Sequence, residues 1–283
     1  MSKKRGTILL FRILPKGFIS RLVGYMSRIP LPAWILNKVI AVYCDKYHVH
    51  REEIAYPENG FRSFNHFFTR KLKDGVHAVD SGRDSIVAPV DGKVDQLGRI
   101  DDDRILQAKG IEYTLSGLVP SDMHRHFVNG SFITIYLSPG DYHRIHAPVT
   151  GSITGYLSVP GKLFTVQDFM VRGLKRLYTV NERVISYLET EWGLVAVTKV
   201  GAMNVGRITL SYADIVTNKT FRRRREHFYP EGSRPAVEKG EELGIFHIGS
   251  TVIVLFQEDR IQFESIEAGR KVRVGERIAT FRM

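Results

Sequence analysis

The sequence predicts an α+β fold in which a β-rich, antiparallel body follows a short set of N-terminal amphipathic helices. Three observations carry that expectation. From about Ser85 onward, short runs of β-branched and aromatic residues are separated by Gly and Pro: 86-IVAPVDGKVDQLG-98, 131-SFITIYLSPG-140, 151-GSITGYLSVPG-161 and 193-GLVAVTKVGAMNVGRITL-210. Helical signals are confined to the N-terminal region, to residues 34–47 and 61–72, and to 167–176. A chain of 283 residues, 43% hydrophobic and 25% charged, can bury a full core as one large domain or two modest ones.

The N-terminus is basic. Between Met1 and Cys44 there is no Asp or Glu, whereas Lys3, Lys4, Arg5, Arg12, Lys16, Arg21, Arg28 and Lys38 are cationic, and the whole chain has a formal net charge of +11. Such a balance suits an anionic partner: nucleic acid, a phospholipid surface or a phosphorylated substrate. Charges or prolines break every apolar run well short of the ~20 residues that span a bilayer. Arg12 and Pro15 likewise cut the run that a signal peptide needs. Ile19, Leu22, Val23 and Met26 fall instead at helical spacing, with Arg21 and Arg28 opposite, and Trp34 suits a bilayer interface. Residues 1–48 are therefore expected to form a basic amphipathic segment, and residues 49–283 the main domain. Three roles stay open for the segment: a helical pair packed on the protein's own core, an in-plane membrane anchor, or an organelle transit peptide. The single Cys44 excludes an internal disulfide and a cysteine metal cluster, and it fits a reducing compartment.

Within the body, 87-VAPVDGKV-94, 238-EKGEELGIF-246 and 268-AGRKVRVGERIATF-281 resemble the hairpins of lipoyl- and biotinyl-type carrier domains. A carrier needs its modified lysine at a hairpin tip. Lys93 follows Asp-Gly at the start of a strand, so the likeness is read as shared β architecture. The run 221-FRRRREHF-228 is the densest cation cluster, either a solvated face or a loop for lipid headgroups. No nucleic-acid motif accompanies the charge, so no nucleic-acid partner is expected.

The chemistry centres on 244-GIFHIGSTVIVLFQ-257, which reads as a buried strand interrupted by Gly249, Ser250 and Thr251. A serine hydroxyl can attack the carbonyl carbon before its own nitrogen and turn the amide into an ester. That attack needs a distorted backbone, which glycine tolerates, and a base, because a neutral hydroxyl is a weak nucleophile. His143 and His146, in 137-LSPGDYHRIHAP-148, are the candidate bases. Strand backbone would set them on opposite faces, and a helical turn would bring them together. A surface loop or an H-x-x-H metal pair are the other readings, and no nearby Cys or Glu supports a metal. Asp91, in 88-APVDGKV-94, is the candidate carboxylate to fix an imidazole's tautomer; its plain reading is an Asp-Gly turn. His247 ranks behind these histidines, because in a strand it would project away from Phe246 and Ile248.

Together, 64-FNHFFTR-70, 86-IVAPVDGKV-94, 130-GSFITIYLSPGDYHRIHAPVTG-151, 159-VPGKLFTV-166, 181-NERV-184, 200-VGAMNVGRI-208 and 239-KGEELGIFHIGSTVIVLF-256 resemble the phosphatidylserine decarboxylase family. The resemblance implies a proenzyme that cuts itself between Gly249 and Ser250. Residues 1–249 become a β chain and 250–283 an α chain, and the two stay associated. It implies that Asp91, His146 and Ser250 form the self-cleavage triad and that His143 serves the decarboxylation. Ser250 becomes an N-terminal pyruvoyl group, a covalent cofactor that makes metal and pyridoxal phosphate unnecessary. The implied activity is conversion of phosphatidylserine to phosphatidylethanolamine and CO2 through a Schiff base on that group. A peripheral position on the cytoplasmic side of the cell membrane, contact with its phospholipid surface and a possible homodimer of processed units come with it. In one departure, Ile248 stands where the family motif has Leu, a change in packing. Three competitors remain: a pyruvoyl decarboxylase of a soluble amino acid, an inactive membrane-binding protein, and a carrier or nucleic-acid-binding module.

Overall fold

The computed structural model describes residues 16–108, 110–203, 207–219, 223–247 and 250–282. Its largest element is a nine-stranded antiparallel sheet. The strands run in the order Arg225–Phe228, Gly151–Val159, Arg183–Thr190, Gly193–Gly201, Ser250–Phe256, Ser131–Leu137, Gly92–Arg99 and Lys271–Val272, and Ala236–Val237 also pairs with Gly151–Val159. The middle strand has the sequence STVIVLF and all of its residues are buried. Its β-branched, apolar run fits a strand covered on both faces, where alternation with polar residues is not required. Ser250 lies opposite Leu137 on one side and Gly201 on the other; Phe256 lies opposite Ser131 and Val195.

Side-chain alternation along this strand feeds two cores. Val252, Val254 and Phe256 pack with Ile133, Ile135, Val195 and Val197. Ile253 and Leu255 pack on the other face with Phe127, Phe132 and Ala196. The β-rich antiparallel body expected from the sequence is therefore present.

Smaller sheets flank it. Ser85–Val87, Arg277–Phe281 and Ile261–Phe263 form one three-stranded sheet, and Ile208–Leu210, Glu242–Phe246 and Arg144–His146 form another. The pieces expected as carrier-type hairpins do not close on themselves. Residues from 85–94 pair with residues from 271–280, Ser85 with Thr280 and Lys93 with Lys271. The stretch 244–257 is likewise two strands rather than one: Glu242–Phe246 belongs to the second small sheet and Ser250–Phe256 to the large one. Gly249 and Ile248 lie outside the described residues, as do residues 1–15 and Phe221 and Arg222 of the cationic run. Of the described residues of that run, 223–228, Arg225–Phe228 form an exposed edge strand.

The helices match the expected places with different limits. Ala33–Tyr47 buries Leu36, Ile40 and Cys44, one residue every turn, against Ile54, Phe61 and Phe67. It stops at His48, which adopts a left-handed conformation and donates its N–H to Cys44 O. The 61–72 signal condenses to Phe64–Phe68, started by Ser63, whose hydroxyl accepts from His66 N. The 167–176 signal condenses to Asp168–Val171. Lys16–Met26 is a helix, but Ser20 and Ser27 form its buried contacts while Leu22 and Met26 stay exposed. Small serines allow close approach there, and Asn65 N donates to Ser27 O at 2.7 Å. Among the described residues no helix is long and apolar enough to cross a membrane.

Candidate active site

Ser250 opens the central strand, and its Oγ is buried without a hydrogen-bond partner. A buried hydroxyl left in this state is costly. The chain reaches it from Phe246, whose N–H donates to His143 O at 2.9 Å. That bond sets His143 beside the segment leading to Ser250.

Of the two histidines of DYHRIHAP, His146 ends the strand Arg144–His146 and His143 stands just before it, so no helical turn brings them together. Each donates Nδ1–H to a backbone carbonyl at 2.7 Å, His143 to Asp141 O and His146 to Gly240 O. A carbonyl only accepts, so the hydrogen is assigned to Nδ1 and the lone pair to Nε2. Both Nε2 atoms are buried and unpartnered. His143 packs on the Phe68 ring at 4.2 Å, and His146 stacks on Tyr142 at 5.7 Å. Burial, helped by the charge of Arg70, pushes His143 down to about 3. Burial also lowers His146. Both are thus neutral bases near neutral pH.

Asp91 meets a different histidine. Its carboxylate takes His77 Nε2 at 2.9 Å and accepts from Val274 N at 2.8 Å. His77 also lies 5.3 Å from the Tyr142 ring, on which His146 stacks. The sequence reading missed His77, because an isolated histidine in 73-KDGVHAVD-80 carries no motif of its own. The carboxylate's charge acts on His143, where it favours protonation.

Arg70 was also missed as an individual residue. It is buried, its Nη2 donates to Gly140 O and Asp141 O at 2.8 and 3.2 Å, and its Nε and Nη1 have no partner. The loop it grips is held tightly from outside as well. Tyr43 OH donates to Pro139 O at 2.7 Å, and a Cβ on Gly140 would stand 2.2 Å from Tyr47 O. Only glycine permits that approach. Arg70, Asp91, Asp141 and Tyr142 line one cavity of ≈ 720 Å³.

His247 is not in a strand. It donates Nδ1–H to Asn65 Oδ1 at 3.1 Å and accepts at Nε2 from the Thr209 hydroxyl at 3.2 Å. Both ring nitrogens are therefore committed, which separates it from His143 and His146. No cluster of His, Cys, Asp or Glu among the described residues is arranged to hold a metal ion.

A sealed serine hydroxyl, two neutral imidazoles with free Nε2 atoms and a carboxylate in the adjoining cleft are the equipment of an enzyme that works by proton transfer out of contact with bulk water. Residues 64–280 match the family model for phosphatidylserine decarboxylase, and the chain belongs to that family. It is similar to the phosphatidylserine decarboxylase proenzyme of Myxococcus xanthus (strain DK1622), 45% identical over 95% of this chain and 96% of the relative. The proenzyme of Pseudomonas putida (strain KT2440) is 40% identical over 98% of each chain. That of Anaeromyxobacter sp. (strain K) is 39% identical over 94% of each.

Proposed function

We propose that the chain is a proenzyme that cuts its own 249–250 bond and then converts phosphatidylserine to phosphatidylethanolamine and CO2 at the pyruvoyl group left by Ser250. The observation that carries this reading is the buried, unpartnered Oγ at the head of a fully buried central strand. In the cleavage, an imidazole Nε2 takes the Ser250 proton, Oγ attacks the carbonyl carbon of Gly249, and the same imidazole returns the proton to the departing nitrogen. The ester then eliminates, releasing the carboxylate of Gly249 and leaving dehydroalanine, which takes up water and loses ammonia.

The family resemblance gives the base role to His146, with Asp91 as its carboxylate. A second assignment has a specific observation behind it. The charge of Asp91 favours protonation of His143, so His143 is the alternative base. Cleavage of His143→Ala and His146→Ala precursors, compared side by side, decides between them.

A pyruvoyl carbonyl would supply an electron sink for the α-carbon of a bound amino acid. The chain's own residues provide the rest. Burial of Ser250 and His143 keeps bulk water from the reacting atoms. His143 is neutral in this form, so its proton must come from the ammonium of the substrate; it then delivers that proton to the α-carbon after CO2 leaves.

Residues 1–48 serve, in this reading, as a peripheral anchor on the cytoplasmic side of the cell membrane. Phe18, Leu22, Tyr25, Met26 and Trp34 are all exposed, the last at 74%. Aromatic and aliphatic side chains of this kind, interleaved with cations worth roughly 1 kcal/mol each near an anionic surface, suit a bilayer interface. A homodimer of processed units is proposed on family resemblance alone.

The test is denaturing intact-mass analysis of wild type beside Ser250→Ala, with CO2 release from phosphatidylserine vesicles. Two chains divided at 249/250, the smaller reactive towards hydroxylamine, and an uncut alanine variant are expected. A wild-type chain that stays whole in the presence of membranes overturns the reading.

A further inference from the structure

We infer that the cavity between the helix Lys16–Met26 and the segment around Arg207 is an anion subsite that holds the phosphodiester of a lipid headgroup, with Arg207 and Arg28 as its ligands. The cavity has a volume of ≈ 490 Å³, and its walls include Arg21, Tyr25, Arg28, Asn65, Arg207 and His247. The naming of the anion as a lipid phosphodiester rests on the proposed function; the presence of a subsite does not.

The charge arrangement is the first argument. Arg207 is partly buried, and its Nε is shielded from solvent with no hydrogen-bond partner. Arg28 is close enough for its charge to oppose that of Arg207. Arg28 Nε donates to Gly24 O, and neither guanidinium has a carboxylate partner among the described residues. A half-buried guanidinium that faces a second, exposed cation and no carboxylate is unfavourable without a counter-ion. Guanidinium groups present planar N–H forks that match phosphate oxygens.

The histidine behind them is fixed and neutral. His247 is locked by Asn65 and Thr209, and its N–H donates to Arg207 O at 2.9 Å. Burial and the arginine charges push its imidazole down to about 4, so it adds no charge to a wall that already carries Arg21 and Lys219 beside Arg28 and Arg207.

Position is the second argument. His247 precedes Ser250 by three residues, so the subsite lies on the approach to the reaction centre. On the same helix, Phe18, Leu22, Tyr25 and Met26 are exposed, and Tyr25 is also part of the cavity wall. The order of apolar surface, guanidinium pair and buried serine repeats the order of acyl chains, phosphodiester and amino-acid headgroup in a phospholipid. A free phosphate would satisfy the same guanidinium groups but would leave the apolar surface without a role.

The experiment measures binding and turnover separately, on wild type and Arg207→Gln, with the extent of self-cleavage as the check on folding. Binding is titrated with dihexanoyl-phosphatidylethanolamine, dissolved below its micelle concentration, and with inorganic phosphate. Turnover is followed on phosphatidylserine in phosphatidylcholine vesicles. Loss of one charge-assisted contact predicts at least a ~10-fold rise in Kd for the dissolved lipid and a comparable rise in KM, with kcat little changed. An unchanged Kd for the dissolved lipid, with a loss seen only on vesicles, would reduce the arginines to general surface charge and overturn the subsite. Wild-type binding of inorganic phosphate without binding of the dissolved lipid would overturn the lipid assignment. If wild type binds the lipid through Arg207 yet releases no CO2, the subsite stands and the proposed reaction fails.

Discussion

His77 Nε2 stands 2.9 Å from Asp91 Oδ1, and both side chains are largely enclosed. This contact fixes the carboxylate in the wall of the cleft, so His77 is expected to position Asp91 during self-cleavage. His77→Ala should slow the cleavage about 10-fold, the scale of one lost charge-assisted hydrogen bond. His77→Gln, which keeps a donor, should retain most of the rate. A time course of precursor disappearance on denaturing gels reads both; equal half-lives for wild type and the alanine variant would remove His77 from the machinery.

The buried histidines make the precursor sensitive to acid. His143 and His247 are lowered from the ordinary 6.5 to about 3 and about 4. Below pH 6.5 the unfolded chain takes up protons that the folded one refuses, so stability is complete above that pH and falls as pH drops towards 4. Each imidazole contributes a slope of about 1.4 kcal/mol per pH unit in that window. Urea midpoints of the uncut Ser250→Ala protein at pH 7 and pH 5 should differ accordingly, and adding His143→Gln should flatten the difference. A midpoint independent of pH would contradict the burial of these groups.

Lys199 gives a second test, of the same sign, at alkaline pH. It is fully buried, donates Nζ–H to Ser186 Oγ and Val197 O, and has no carboxylate partner among the described residues. Burial lowers it from 10.5 to about 7. The unfolded chain therefore holds an extra proton between these values, and stability should rise with pH from about 7 towards 10.5. Lys199→Met should melt higher than wild type at pH 7, and the gap should narrow by pH 9.5. A constant gap would show that the amine is not desolvated.

The exposed apolar residues of the first two helices should decide membrane attachment. Phe18→Ser, Tyr25→Ser and Trp34→Ser together are expected to reduce flotation with anionic vesicles by an order of magnitude or more, at the scale of a few buried side chains. Self-cleavage should be unaffected. Undiminished flotation would assign attachment elsewhere.

Much of the body was legible because strand and helix periods are local. The runs from Ser85 onward became strands, and 34–47 became a helix with its apolar stripe at Leu36, Ile40 and Cys44. The motifs singled out in the sequence hold side-chain atoms that are shielded and unpartnered in the fold, Ser250 Oγ and the Nε2 atoms of His143 and His146. What sequence could not convey was partnership across the fold. His77 meets Asp91 because a turn and a strand edge converge, and Arg207 approaches Arg28 because a helix end is tied to Asn65; neither pairing leaves a spacing to read. The 244–257 stretch misled for a related reason. Two apolar strands in succession have the composition of one, and only the change of sheet partners separates them.

The place of Ser250–Phe256 also has a consequence for how the protein must be made. A strand with neighbours on both sides is inserted during folding, not added to a finished edge. Once the proposed cut is made, the smaller product remains threaded through the sheet of the larger, and dilution gives it no surface from which to peel away. The covalent chain is then needed only to bring the strand into register. Denaturing the mature protein should be a one-way event, because the instruction for reassembly is lost with the bond.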